Sequence, residues 1–164
     1  MECDMECGVT EVTPWDRSSA VRNQVLMSAP VVLGAWAIAR HRPRRLLLYL
    51  PAAVAFMTLW RRWVCARCRY YGRECSTMLG VMTARMMPRD EEHALDRQTM
   101  MVDFAFIGAL ALIPLPSALK RPRLALAYLA SLAAGLTAVV LDACPRCENE
   151  FCPMKDVRRS LGLD

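Results

Sequence analysis

Eight cysteines among 164 residues carry the densest potential chemistry in this chain. Cys65, Cys68 and Cys75 form one group, Cys144, Cys147 and Cys152 a second, and Cys3 and Cys7 a third. Two of these groups open on Cys-x-Arg-Cys, the spacing of a metal knuckle or a redox dithiol rather than of a secreted disulfide framework. Two triplets and a pair supply ligands for two four-thiolate sites, each triplet being completed by one N-terminal cysteine. Thiolate-only ligation selects soft-ligand metals, so an iron-sulfur cluster or zinc is expected. A second partition clasps one ion between Cys65, Cys68, Cys144 and Cys147 and leaves Cys3, Cys7, Cys75 and Cys152 for another site or as thiols. Arg67 and Arg146 stand inside the two knuckles, where they could offset thiolate charge or simply face solvent and lipid.

Other chemistry is sparse. Only His41 and His93 are present, and the four spans expected of this chain place them on opposite faces of a membrane, so a haem held by a buried pair of histidines is not expected. No Gly-rich phosphate loop and no His-Glu-x-x-His motif occurs. Asp90, Glu91 and Glu92 read as a solvated loop rather than a divalent-metal cluster. Asp103 and Asp142 border apolar blocks and read as interfacial carboxylates; fully intramembrane, they would point to proton or quinone chemistry. Met78, Met82 and Met86 recur every four residues behind Ser76 and Thr77, which predicts a short capped helix ending near Pro88 and lying at a membrane interface. A methionine ladder can also bind Cu(I), but an apolar helix face is the simpler reading.

The elements that must position the cysteines are apolar. Hydrophobic residues make up 55% of the chain, with charges segregated out of four blocks, Asn23 to Ala39, Leu46 to Trp60, Phe104 to Leu119 and Leu124 to Leu141. These span 17, 15, 16 and 18 residues without one Asp, Glu, Lys or Arg. A soluble helix would carry charges along one face, and a disordered chain would be poor in Leu, Ala and Val. Four membrane spans are therefore expected. At 1.5 Å per residue the blocks cover about 22 to 27 Å of a hydrocarbon core roughly 30 Å thick. Flanking cations, among them Arg40, Arg42, Arg44, Arg45, Arg61, Arg62, Lys120, Arg121 and Arg123, could snorkel across the shortfall. The first block is not read as a cleaved signal, because Glu2, Asp4, Glu6, Glu11 and Asp16 precede it where a basic segment is required.

Shifting the sequence by 79 residues aligns Arg42–Cys68 with Arg121–Cys147 at 11 identities in 27 positions, without a gap. The matches include Arg-Pro-Arg, Tyr49 with Tyr128, and both Cys-x-Arg-Cys knuckles. Each half reads as span, short basic turn, span, knuckle. Two spans per repeat make the repeats parallel about the membrane normal and bring both knuckles and the N-terminal tail to one face. The expected fold is thus an all-α integral membrane four-helix bundle of two parallel helical hairpins with a Cys-rich cap. Its segments are a tail at 1–22, repeat one at 23–75, an interfacial connection at 76–102, repeat two at 103–152 and a tail at 153–164. Small residues Ala127, Ser131 and Gly135, and Ala105 with Ala109, are expected to let spans approach closely.

The stretch Cys65-Ala-Arg-Cys-Arg-Tyr-Tyr-Gly-Arg-Glu-Cys-Ser-Thr77 resembles a pattern in small four-span prokaryotic membrane proteins, where it also follows a second span. The resemblance covers about a dozen residues, with the later Cys-x-x-Cys and Cys-Pro, and implies no particular activity. Cys152-Pro153 is also similar to the Cys-Pro that closes many ferredoxin cluster motifs. More Lys and Arg flank the span ends on the cysteine side than on the turn side, which favours a cytoplasmic cap in a prokaryotic plasma membrane. Three functions stay open. The first is a membrane-anchored electron-transfer or accessory subunit with an iron-sulfur site, serving a soluble or membrane redox partner. The second is a zinc-stapled assembly subunit. The third is a thiol-disulfide oxidoreductase exchanging at Cys65 and Cys68 or at Cys144 and Cys147. The +5 net charge is explained by lipid headgroups and requires no nucleic acid.

Overall fold

The computed structural model describes residues 15–149 and 152–163, and among these the chain is helical with no strand. Helix α1 (Arg17–His41) starts after Asp16, whose carboxylate receives the hydroxyls of Ser18 and Ser19. Helix α2 (Pro43–Met57) follows within two residues. After a turn come α3 (Arg61–Val64), the first cysteine loop and α4 (Leu79–Met86). Thr77 Oγ1 accepts the Leu79 amide, so the expected cap acts one residue before Met78, the N-cap itself. Helix α4 stops where Met87 turns extended ahead of Pro88, whose ring disfavours a helical predecessor. Helix α5 (Arg97–Leu112) is capped by Asp96, whose carboxylate accepts from the Thr99 amide at 2.8 Å. Helices α6 (Leu115–Ala118) and α7 (Pro122–Ala138) complete the second hairpin. Both α2 and α7 begin with proline at their first helical position, where no N–H is needed. These are the matched prolines of the two Arg-Pro-Arg turns.

From α7 the helix runs on through a π-helical turn (Val139–Ala143) into α8 (Cys144–Arg146), with α9 (Pro153–Ser160) packed behind. The widened turn leaves a carbonyl that needs an outside donor. A π turn pairs the carbonyl of residue i with the amide of i+5, and Cys144 N does bond to Val139 O. The next donor in that register would be residue 145, a proline without an N–H. Arg158 takes its place, its guanidinium donating to Val140 O at 3.1 Å. In the first repeat the corresponding positions are Arg61 and Ala66, and there the amide is present and bonds at 3.1 Å.

Helix α1 lies centrally, packed against α2, α5, α6 and α7. Ile38 joins Tyr49, Phe56 and Leu110 in one apolar cluster, while its neighbour Ala37 joins Tyr128 and Ala118 in another. The repeat-related tyrosines Tyr49 and Tyr128 are both fully buried, each anchoring a second helix onto α1. Gly135 rests against the α1 backbone at Leu26 and Met27. Ala105 and Ala109, by contrast, point outward and mediate no close approach of helices.

Two helical stretches, Arg97–Ala118 and Pro122–Arg146, are long and apolar enough to cross a membrane. The first expected span falls within α1, which is 25 residues long but carries Arg17, Arg22, Asn23 and Gln24 in its first two turns. The second falls on α2, which breaks after 15 residues, about 22 Å of rise. Large apolar side chains nonetheless face outward on the first hairpin as on the second. Leu47 and Leu48 are each 77% exposed and Leu126 is 72% exposed.

A cysteine-rich cap as candidate functional site

Below the helix ends, the loop after α3 and the segment after the π turn meet. Tyr70 makes the junction. Its hydroxyl accepts the Glu148 amide at 3.2 Å, and its ring meets Trp15 edge-on with centroids 5.2 Å apart. Arg69 adds an ion pair to Glu148 at 2.8 Å, exposed and therefore worth little by itself. Helix α4 supports the loop from below. A Cβ on Gly80 would lie 2.7 Å from the carbonyl oxygens of both Tyr70 and Arg73, so only glycine lets the helix come this near.

This junction gathers the six cysteines of both triplets into one cap. Cys144 is buried beside Val140, Met154 and Cys152, while Cys65, Cys68 and Cys152 border the small cluster of Val64, Leu95 and Met100. All six are free thiols. Cys3 and Cys7 lie outside the described residues. Burial holds the thiols neutral: it pushes Cys65, Cys147 and Cys152 upward and Cys68 up to about 12. Near Cys65, the Arg61 guanidinium opposes this trend.

Thiol donors suit iron or zinc by softness, yet among the described residues no group of three or more Cys, His, Asp or Glu is arranged to hold an ion. The triplets are adjacent without being closed into ligand shells. The knuckle arginines serve other partners. Arg67 donates to Asp90 at 2.8 Å, and Arg146 pairs with Asp142 at 3.0 Å, so neither stands free to offset thiolate charge. Asp90 is more than loop decoration, since it holds both Arg67 and His93, and these partners draw its carboxyl down to about 2. Glu91 and Glu92 are exposed, as a solvated loop requires.

The largest departure from the sequence reading is Arg61. It does not snorkel. Arg61 and Asp103 form an ion pair at 2.6 Å with side chains only 6% and 7% exposed. Arg61 Nε also donates to Phe56 O at 3.1 Å, and the guanidinium stacks 4.3 Å from the Phe56 ring centroid. Asp103 is thus no interfacial carboxylate but the buried tie between α3 and α5, one from each repeat. Asp142 plays a similar part at the other seam, accepting from Arg22 at 3.0 Å and from buried Asn23 at 2.9 Å on α1. Apolar block boundaries hide such pairs, because each partner alone looks like a flank; an arginine and an aspartate facing opposite repeats was the available signal.

Comparison of the chain with protein-family models, with curated proteins and with solved structures finds no match to any of them.

Proposed function

We propose that the chain is an integral membrane protein of four spans, two hairpins side by side, and that its cysteine cap is the working site of a membrane-anchored electron-transfer or accessory subunit. The observation that carries this reading is that cysteines of both repeats, Cys65 and Cys68 from the first and Cys152 from the second, border one small cluster at one end of an apolar helical body. In this reading Cys65, Cys68, Cys75, Cys144, Cys147 and Cys152 ligate iron-sulfur, with Cys3 and Cys7 completing the sets. Ligation requires the triplets to draw together and the thiols to lose protons that burial now retains. A cap at the bilayer surface could then serve a soluble donor on one side and a membrane partner or quinone on the other. Anaerobic purification should yield a coloured protein with an EPR signal on reduction. A colourless, EPR-silent protein would overturn the assignment.

A zinc-stapled assembly subunit is the second reading, and the cap's own construction favours it. The two apolar clusters there are small and are completed by cysteines. Structural zinc contributes on the order of 10 kcal/mol to such a site. Stoichiometric zinc in the colourless protein, with loss of protease resistance on chelation, would establish it in place of the first. The thiol-disulfide reading, at Cys65 and Cys68 or at Cys144 and Cys147, would need burial around the chosen pair to be relieved, since burial raises all four thiols.

A further inference from the structure

The end of the molecule opposite the cap is strongly basic and free of acids. No Asp or Glu lies between Arg17 and Arg73 or between Phe104 and Leu141, whereas the two turns hold Arg40, Arg42, Arg44, Arg45, Lys120, Arg121 and Arg123. Between the C-terminal end of α1 and the start of α7 a cavity of about 560 Å³ opens here. Four of its lining residues, Arg40, His41, Arg121 and Arg123, are basic. The rest of the wall is apolar, with Leu33 and Trp36 from α1 and Pro122, Leu124 and Ala127 from α7. Arg40 is held over the Trp36 ring at 5.5 Å, and His41 Nε2 is buried with no hydrogen-bond partner among the described residues.

A cationic rim above an apolar trough matches one chemistry, an anion attached to a hydrocarbon chain. We propose that this groove binds one anionic phospholipid, its phosphate among Arg40, Arg121 and Arg123 and an acyl chain along Leu33, Trp36 and Leu124. Arg123 and Leu124 also belong to the first turn of a 17-residue helix whose N-cap supplies no side-chain cap, an end that favours an anion. His41 Nε2–H, in that tautomer, supplies a further donor. The site rests on the bilayer reading but not on any chemistry of the cap.

The full chain in a neutral detergent, titrated with acyl-brominated phosphatidylglycerol and with its phosphatidylcholine counterpart, tests it through tryptophan quenching. Trp36 lies in the groove, while Trp15, Trp60 and Trp63 belong to the cap end. Saturable quenching should be about tenfold tighter for the anionic lipid and should vanish in Trp36→Phe. Arg121→Gln with Arg123→Gln should bring the two lipids level without shifting the melting temperature, both side chains being exposed. Equal affinity for the two lipids in the unaltered protein would overturn the proposal. So would competition by inorganic phosphate as strong as that by the lipid, which would mark a site for a soluble anion. Resistance to alkaline carbonate extraction tests membrane insertion separately, so failure of the lipid site and failure of the bilayer reading give different results.

Discussion

At the scale of single residues, the ionic groups do more than their sequence positions suggest. An arginine after an apolar block satisfies the snorkelling rule equally well whether it turns to lipid or inward, and only the fold brings Arg61 to Asp103. Burying two charges is costly, and their attraction roughly offsets that cost; removing one partner leaves the other uncompensated. Arg61→Met or Asp103→Leu alone should therefore destabilise the protein by about 3–5 kcal/mol, while the double variant should recover most of the loss. Reversible unfolding in mixed micelles measures both, and equal losses in single and double variants would contradict a coupled pair. Asp90 gives a pH-dependent counterpart. His93 and Arg67 lower its carboxyl from 3.8 to about 2, so its contribution is complete above pH 4 and is lost as pH falls toward 2. Pepsin cleavage in the loop around Leu95, corrected for pepsin's own pH profile, should rise over that window. Asp90→Asn should be cut readily throughout it; a flat profile in the unaltered protein would refute the claim.

At the scale of elements, helix existence was legible, and so were those helix ends that a proline marks. Apolar blocks and prolines marked α1, α2, α5 and α7, and matched Arg-Pro-Arg turns marked where α2 and α7 begin. The π turn was invisible, because the carbonyl that Pro145 cannot serve is taken by Arg158 from a separate helix, and no periodicity reports a carbonyl satisfied from outside. Small residues were likewise ambiguous, since spacing says that two helices can approach but not which ones do. Gly34 shows how narrow the answer is. A Cβ there would stand 2.6 Å from Pro114 Cγ and 3.2 Å from the Tyr49 hydroxyl oxygen, whereas one on Gly108 would meet nothing. Proline cannot swing aside, so Gly34→Ala should cost about 1–3 kcal/mol by overpacking α1 against the α5–α6 corner. Gly108→Ala should be neutral or gain up to about 1 kcal/mol in helix propensity. Melting temperatures of the two purified variants decide this, and similar values would mean that the corner is looser than its geometry.

For the whole molecule, the repeat argument reached furthest from sequence alone. Counting crossings predicts both knuckles on one face; the structure joins the segments that follow them through the Glu148 amide and the Tyr70 hydroxyl, with Cys65, Cys68 and Cys152 bordering one cluster. How the thiols are partitioned was not legible, because spacing within a knuckle carries no information about distances between knuckles. For the proposed membrane topology the orientation is read from charge asymmetry, with more cations beside the cap but a purer basic patch at the turns. Topology nevertheless makes a prediction that metal chemistry cannot disturb. Arg44 and Lys120 belong to the two turns, so under the proposed four-span topology cysteines placed there in a background lacking native cysteines should both lie opposite the cap. With the cap cytoplasmic, a membrane-impermeant maleimide should label Arg44→Cys and Lys120→Cys in intact cells. A cysteine restored at position 68 or 147 should react only after lysis and denaturation. Reversal of the whole pattern would turn the molecule over while keeping its architecture. Labelling of position 44 and position 120 from opposite sides would break the pairing of parallel hairpins, and the four-span fold would fall with it.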